Sequence, residues 1–375
     1  MTVLLRSRIS KQSGGTTMLL MQPKKAAIAS PSSIIPTGVD TGAGLLKLAI
    51  GNGSDQHRVR TPAKIVEIQG ELHDELTSPE GGHFIYDDGD RPDLKGREFL
   101  TGSLAAWKAP TSHIKLSDNP ALKAEYVLHM ILGALATLPH QDTWNLHLVL
   151  SSHNTQVFRE LVTSKTSGSH SVLFGGRDKP KTQVSLTVSL VVPEGAGSYA
   201  FCAAYKPDPL IDIAGHVIAL DFGTSTVIPT VFAPQGKIIH RNVLAVGGCV
   251  DLLEAIASDV ELVKLLGTGK SANIELIRQA IEDRSFKYGT RGFSFQHLYT
   301  RHLHTWLGDR LRLALAEVEE WRDAAQSLVA WGGGAALPCT EGKFEKAGIT
   351  PIADACWANA LGLQRIAEGR YQRGK

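Results

Sequence analysis

An α/β fold with mixed sheets, built from two related halves facing a common cleft, is the class this sequence predicts. Three observations carry it. Apolar runs of strand length alternate along the chain with amphipathic runs of helical spacing. One unit, an apolar strand, an Asp-x-Gly turn and a second apolar strand, occurs twice, at "DTGAG" from Asp40 and at "DFGTST" from Asp221, which suggests an internal duplication. The length, 375 residues, suits two lobes of ordinary size.

The elements follow in order. Residues 1–36 carry Arg6, Arg8, Lys11, Lys24 and Lys25, no acid, and many Ser, Thr, Gly and Pro residues, so a disordered basic tail is expected. A first lobe is expected over residues 37–215. In it "GLLKLAIGNG" reads as a strand entering a hairpin and "RVRTPAKIVEI" as its return. Residues 66–100 form a small insertion, whose "EGGHFIYDDGDRPDLKGREFLTG" reads as polar and loop-heavy. "KAEYVLHMILGALATL" predicts one helix stopped by Pro139. "WNLHLVLSS" and "TQVSLTVSLVV" are strands, the second ending at Pro193. A second lobe is expected over residues 216–325. It opens on "HVIALDFGTSTVIPTVF", continues through amphipathic helices in "VDLLEAIASDVELVKLL" and "ANIELIRQAIEDRSF", and closes on a long helix or broken pair between Phe295 and Trp321. Residues 326–375 return to the first lobe: "SLVAWGGGAALP" as strand, triple glycine and helix, then a small-residue helix in "ADACWANALGLQRIAE".

Composition excludes several classes. With 43% hydrophobic and 20% charged residues the chain is a soluble globular type, and no apolar run approaches a membrane span. A formal charge of +2 gives no strong pull toward direct nucleic-acid or membrane contact. Cys202, Cys249, Cys339 and Cys356 form no CxxC pair and fit no zinc module, so they read as reduced, mostly buried thiols of a cytoplasmic protein. The Gly269–Ser271 "GKS" lacks the first glycine of a P-loop, since Lys264 stands there, and reads as a loop between helices. His297, His302 and His304 are not spaced for one helical face and read as surface or packing residues.

The two turns carry chemistry. Glycines there let backbone N–H groups approach an anion, and Thr224, Ser225 and Thr226 add hydroxyls. Lys47 can meet a phosphate as a point charge. Asp40 and Asp221 would repel phosphate directly, and make sense if hydrated Mg²⁺ lies between. The glycines of "VAWGGGAAL" would let a flat base and ribose lie against bare backbone.

In this order "DTGAGLLK", "VVPEGAGSYA", "ALDFGTSTV", "WGGGAAL" and "WANALGL" resemble the phosphate-1, connect-1, phosphate-2, adenosine and connect-2 motifs of the actin-like ATPases. "GREFLTGSLA" (Gly96–Ala105) and "VPEGAGSYA" are similar to the bacterial plasmid-segregation branch, the ParM/StbA-like proteins. The resemblance runs from Thr37 to the C-terminus. It implies the actin-like, ribonuclease H-like duplicated fold with a nucleotide cleft between two lobes.

It also implies roles. Asp40 would orient Mg²⁺-bound water. Gly42, Ala43, Gly44 and Leu45 would line the phosphates, with Lys47 in contact. Glu194 would orient the attacking water. Asp221 would hold the Mg²⁺ shell from the other lobe and act in catalysis, Gly223, Thr224, Ser225 and Thr226 would close on the γ-phosphate, and Gly332, Gly333, Gly334 and Ala335 would meet adenosine. Two positions depart from the pattern: Ala43 stands where many relatives carry Ser or Thr, and Ile228 where plasmid-segregation proteins often carry Asp and actins His. The implied protein binds and hydrolyses ATP (or GTP) with Mg²⁺, assembles head to tail with itself in a bacterial cytoplasm, and moves plasmid DNA through a DNA-bound adaptor, without touching nucleic acid or membrane itself. The alternatives are another bacterial cytoskeletal filament, a non-polymerising nucleotide-binding regulator, and a small-molecule kinase of the same fold.

Overall fold

Val39, Leu46, Leu48 and Ile50 are buried and flank the "DTGAG" turn, which is why the chain doubles back there as a hairpin and not as a loop. The structure is a computed structural model describing residues 33–374 apart from 53, 54, 71, 73–75, 207, 245 and 268. Most of the expected basic tail lies outside the described residues, and the first strand already includes Ile35 and Pro36.

The first half comprises β1 (Ile35–Thr41), β2 (Leu45–Asn52), β3 (Asp55–Pro62), β4 (Lys64–Glu67), β5 (His83–Gly89), β6 (Glu98–Thr101), α1 (Gly102–Lys108), β7 (Ile114–Lys115), α2 (Pro120–Glu125), α3 (Val127–Leu135), β8 (Thr143–Ser152), α4 (Thr155–Thr166), β9 (Gly168–Phe174) and β10 (Lys181–Pro193). Helix α5 (Ala196–Tyr205) leads into the second: β11 (His216–Phe222), β12 (Val227–Phe232), β13 (Ile238–Arg241), α6 (Cys249–Ala257), α7 (Val260–Leu266), α8 (Ile274–Glu282), α9 (Gln296–Glu317), β14 (Ala325–Trp331), α10 (Glu341–Lys346), β15 (Thr350–Pro351) and α11 (Ala358–Arg373).

The duplication is visible in the strand order. The first sheet begins β3-β2-β1-β8-β10 and the second runs β13-β12-β11-β14-β15. Each is an antiparallel meander whose first strand takes parallel neighbours on its other side. The first sheet alone continues, through β9, β5, β6 and β4 to β7. Each sheet has its own hydrophobic core. Helices α5 and α11 cross between the sheets at Gly197 and Gly362; a Cβ on Gly362 would lie 1.7 Å from the Gly197 carbonyl oxygen. Helix α11 also presses on β1, where a Cβ on Gly38 would lie 2.1 Å from the Ala360 oxygen.

Four local expectations are corrected. The segment read as loop-heavy contains β5 and β6, with His83–Tyr86 and Glu98–Thr101 buried, because its short apolar runs pair with each other and with β9. The single helix before Pro139 is two, since Tyr126 leaves helical geometry at φ −103° and ψ 9°. No helix follows the triple glycine directly: turns occupy that stretch, and α10 starts only at Glu341. All four cysteines are free thiols, but only Cys202 is buried and Cys339 is exposed. The "GKS" stretch does lie between helices, after α7 and before α8. His297 and His302 face Glu261 at 2.5 Å and Asp259 at 2.7 Å. Among the described residues no helix is long and apolar enough to cross a membrane.

Candidate functional site

Strand register sets the first acid. Asp40, at the end of β1, lies directly opposite Lys47 on β2, and the Lys47 ammonium donates to Asp40 Oδ2 at 3.2 Å. The parallel neighbour β8 ends beside it and brings Ser151, whose hydroxyl donates to Oδ1 at 3.2 Å. The first turn of α11 brings Asn359, whose Nδ2 donates to the same oxygen at 2.8 Å. Asp40 and Lys47 are each only 8% exposed. Burial works against the charge on Lys47, but Asp40, Cys356 and Asp221 hold its pKa above the ordinary lysine value, so it stays an ammonium. Removing either partner would strand a buried charge.

The second turn meets the first. Gly42, Ala43 and Gly44 lie in the β1–β2 turn, with Leu45 opening β2. A Cβ on Gly44 would come within 2.4 Å of the Thr224 side chain, so the two turns already touch. Gly223 closes its own turn by donating to the Thr226 carbonyl at 2.9 Å, with Ser225 between. The carbonyls of Gly223 and Thr224 accept the amides of Cys249 and Val250, tying the start of α6 to the turn. Asp221, near the end of β11, lies opposite Ile228 on β12 and beside Trp331 on β14. Burial, with the Asp40 and Glu194 carboxylates nearby, pushes its pKa up to about 7, while Lys47 and Arg241 pull the other way.

Glu194 sits at the corner between β10 and α5, its amide bonded to the Ser152 carbonyl at 3.1 Å. Its carboxylate accepts from Lys123 of α2 at 2.9 Å and lies 4.0 Å from Arg241 of β13. Gly195 follows at φ +87°, a conformation suited to glycine, and a Cβ there would lie 3.7 Å from Trp331 Nε1 and 3.9 Å from Asp221 Oδ2. The corner of the first half therefore rests on the second half's acid.

The triple glycine divides its duties. Gly332, at φ +86°, packs on Asp221 and Phe222, and Gly334 on Phe222, Cys249 and Trp306. A Cβ on Gly333 would meet nothing within 4 Å, so this is where backbone stands open. Ala335 is buried. The two halves are also bridged by charge away from the acids. Arg60 of β3 meets Glu282 of α8 at 2.7 Å, Lys64 of β4 meets Glu275 at 3.6 Å, and Arg278 of α8 meets Glu80 at 2.7 Å.

Among the sequence-predicted residues, Asp40 and Lys47 pair directly, the turns at Gly44 and Thr224 touch, and Gly195, next to Glu194, packs near Asp221. Ser151, Asn359, Lys123 and Arg241 were missed. A hydrated divalent cation fits this set. Burial above all, and then the Asp40 and Glu194 carboxylates, raise the pKa of Asp221, and a positive charge beside it would favour its carboxylate form. A hydrated Mg²⁺, which keeps several of its waters, would need only one or two carboxylates such as Asp40 and Asp221 to hold it. A polar ligand fits as well: Trp331 Nε1, Asn359 Oδ1 and Arg241 Nε and Nη2 are buried around the acids without hydrogen-bond partners.

Two like-ordered sheets, each with an acidic hairpin, make up the actin-like fold. Residues 38–197 match the family described as actin like proteins N terminal domain. The chain superposes on an archaeal actin homologue, Ta0583, at TM-score 0.65 and 18% identity, covering 90% of this chain and 99% of that one. A ParM from a 15-stranded filament of Clostridium botulinum superposes at 0.64 and 15% identity, with coverage of 90% and 99%. The archaeal homologue in complex with ADP superposes at 0.65 and 16% identity, again over 90% and 99%. No curated protein sequence matches the chain. The resemblance to actin-like proteins, ParM among them, stands on the domain match and on these structures together.

Proposed function

We propose that this protein is a nucleoside triphosphatase of the actin-like kind that uses nucleotide to control its own assembly into filaments. The observation that carries the reading is the meeting of the two acidic hairpins: a Cβ on Gly44 would lie 2.4 Å from the Thr224 side chain, and one on Gly195, next to Glu194, 3.9 Å from Asp221 Oδ2. A similar fold with ADP bound, and a ParM of similar fold assembled as a filament, support it. ATP (or GTP) would lie with its phosphates between the Gly42–Gly44 and Gly223–Thr226 turns and its base toward Gly333. Mg²⁺, when bound, would neutralise phosphate charge from between Asp40 and Asp221.

The chain's own residues would do the rest. Lys47, kept charged by Asp40, adds a cation beside the first turn. Glu194 orients one water for in-line attack. The water oxygen bonds to the γ-phosphorus as the bond to the β-bridging oxygen breaks. One water proton leaves to solvent, giving the nucleoside diphosphate and inorganic phosphate. Loss of the γ-phosphate removes a link between the two turns, and the halves relax about the α5–α11 crossing. A head-to-tail contact that does not close builds an open polymer, so this relaxation would time its assembly. Transport of plasmid DNA through a DNA-bound adaptor, in a bacterial cytoplasm, is the biological task that the ParM-like resemblance adds to this reading.

Sedimentation with ATP, ADP or no nucleotide, beside a phosphate-release assay, tests it. ATP-dependent pelleting with phosphate release is the expected result. Phosphate release that requires an added sugar or acetate would point to a kinase instead, and neither activity to a regulator. Glu194→Gln should bind ATP, release phosphate at least about a hundredfold more slowly, and leave polymers long-lived. Normal turnover by that variant would remove Glu194 from the reaction.

A further inference from the structure

A buried guanidinium ordinarily finds several acceptors, because it carries five N–H donors in a fixed fork. Arg241 does not. Its side chain is 16% exposed, Nη1 reaches the His153 carbonyl only at 3.5 Å, and Nε and Nη2 are buried with no hydrogen-bond partner. Glu194, the carboxylate beside it, is drawn away: it sits 2.9 Å from Lys123 and 4.0 Å from Arg241.

Strand register says where the fork belongs. Directly opposed residues on neighbouring strands point to one face of a sheet, as do residues two apart along a strand. Asp221 is opposite Ile228, and Thr230, two residues on, is opposite Arg241. Asp221, Ile228, Thr230 and Arg241 therefore share the face that carries the second half's acid. The chain has an apolar residue, Ile228, opposite that acid, and an arginine one strand further out. Arg241 also lies near enough to Asp221 to stabilise its charged form.

Resting on the nucleotide reading above, we infer that Arg241 is a ligand of the terminal phosphate of a bound nucleoside triphosphate, and that Lys123 keeps Glu194 from capping it. An arginine fork matches a phosphate in two parallel hydrogen bonds. A diphosphate is one phosphate shorter and would leave the fork unmatched, so Arg241 makes the site distinguish substrate from product. Lys123 has a positioning role. By holding the Glu194 carboxylate it leaves Arg241's N–H groups available and keeps Glu194 beside the place where water must sit.

Affinities for ATP and for ADP, each with Mg²⁺, measured on the full chain and its variants, decide the matter. The native protein should bind ATP more tightly than ADP. Arg241→Met should weaken ATP at least about tenfold and change ADP less than about twofold, with Arg241→Lys between. Lys123→Met should also weaken ATP selectively, because Glu194 is then free to pair with Arg241. Equal losses for both nucleotides, or an unchanged ATP affinity, would overturn the assignment. Should Arg241→Met fail to melt as a folded protein, Lys123→Met decides alone. A native chain that binds neither nucleotide would instead overturn the nucleotide reading, a result separate from any variant's.

Discussion

Gly362→Ala should lower the melting temperature by roughly 4 °C, a large effect for one methyl group in a chain of this size. The added carbon would lie 1.7 Å from the Gly197 carbonyl oxygen and 2.8 Å from the Phe201 amide nitrogen. Both are backbone atoms of α5, so no side chain can swing aside and the helices must part. Overpacking of this kind costs on the order of 3 kcal/mol. The control lies on the same helix: a Cβ on Gly369 would meet nothing within 4 Å, and Gly369→Ala should be neutral or stabilise by up to about 1 kcal/mol through helix propensity. Thermal melts of both variants test the crossing. Equal shifts for the two would mean that α5 and α11 do not meet as described.

The second large effect is electrostatic. Asp221 has its pKa raised to about 7 from the ordinary 3.8, so the folded chain binds a proton that the unfolded chain has already released. Stability of the protein without nucleotide should therefore fall as pH rises between those two values, and stay low above about 7, by at most about 4 kcal/mol. Asp221→Asn removes the titration. Its melting temperature should change less than the native protein's between about pH 5 and 7.5, and exceed it at the upper end. The same variant should bind Mg-nucleotide more than about tenfold less tightly, as loss of a group acting on a metal through water does. Parallel pH profiles for the two proteins would show that Asp221 is not crowded by the other acids.

The hairpin acids were legible because their signal is local: an Asp, a glycine turn and apolar flanks fit within one short stretch. Their partners were not. Ser151 ends an ordinary strand, Asn359 begins an ordinary helix, and they reach Asp40 only once the chain has folded across 111 and 319 residues. Lys123 and Arg241 look like surface residues of a short helix and a short strand until Glu194 is placed against them. Gly38, inside β1 just before the turn, gives clearance for α11, a use that no local pattern announces. The extension of the first sheet was hidden because β5 and β6 are short and flanked by Gly and Asp, so the turn signals outweighed the strands they bound. The helix expected after the triple glycine fails for a physical reason: the Gly334 amide bonds to the Phe222 carbonyl at 2.8 Å and winds the chain into turns.

Within the charged bridge between the halves, the Arg60–Glu282 pair is open to solvent, its side chains 32% and 31% exposed, while Arg278 is nearly as buried as the Asp40–Lys47 pair. Dissolved ions reach the Arg60–Glu282 pair, and at physiological ionic strength the screening distance is only about 8 Å. Potassium and chloride levels would then tune how tightly α8 clings to the opposite sheet while the sheltered Asp40–Lys47 pair hardly responds. Salt would thereby weaken this outer contact between the halves while leaving the inner acid–lysine pair in place.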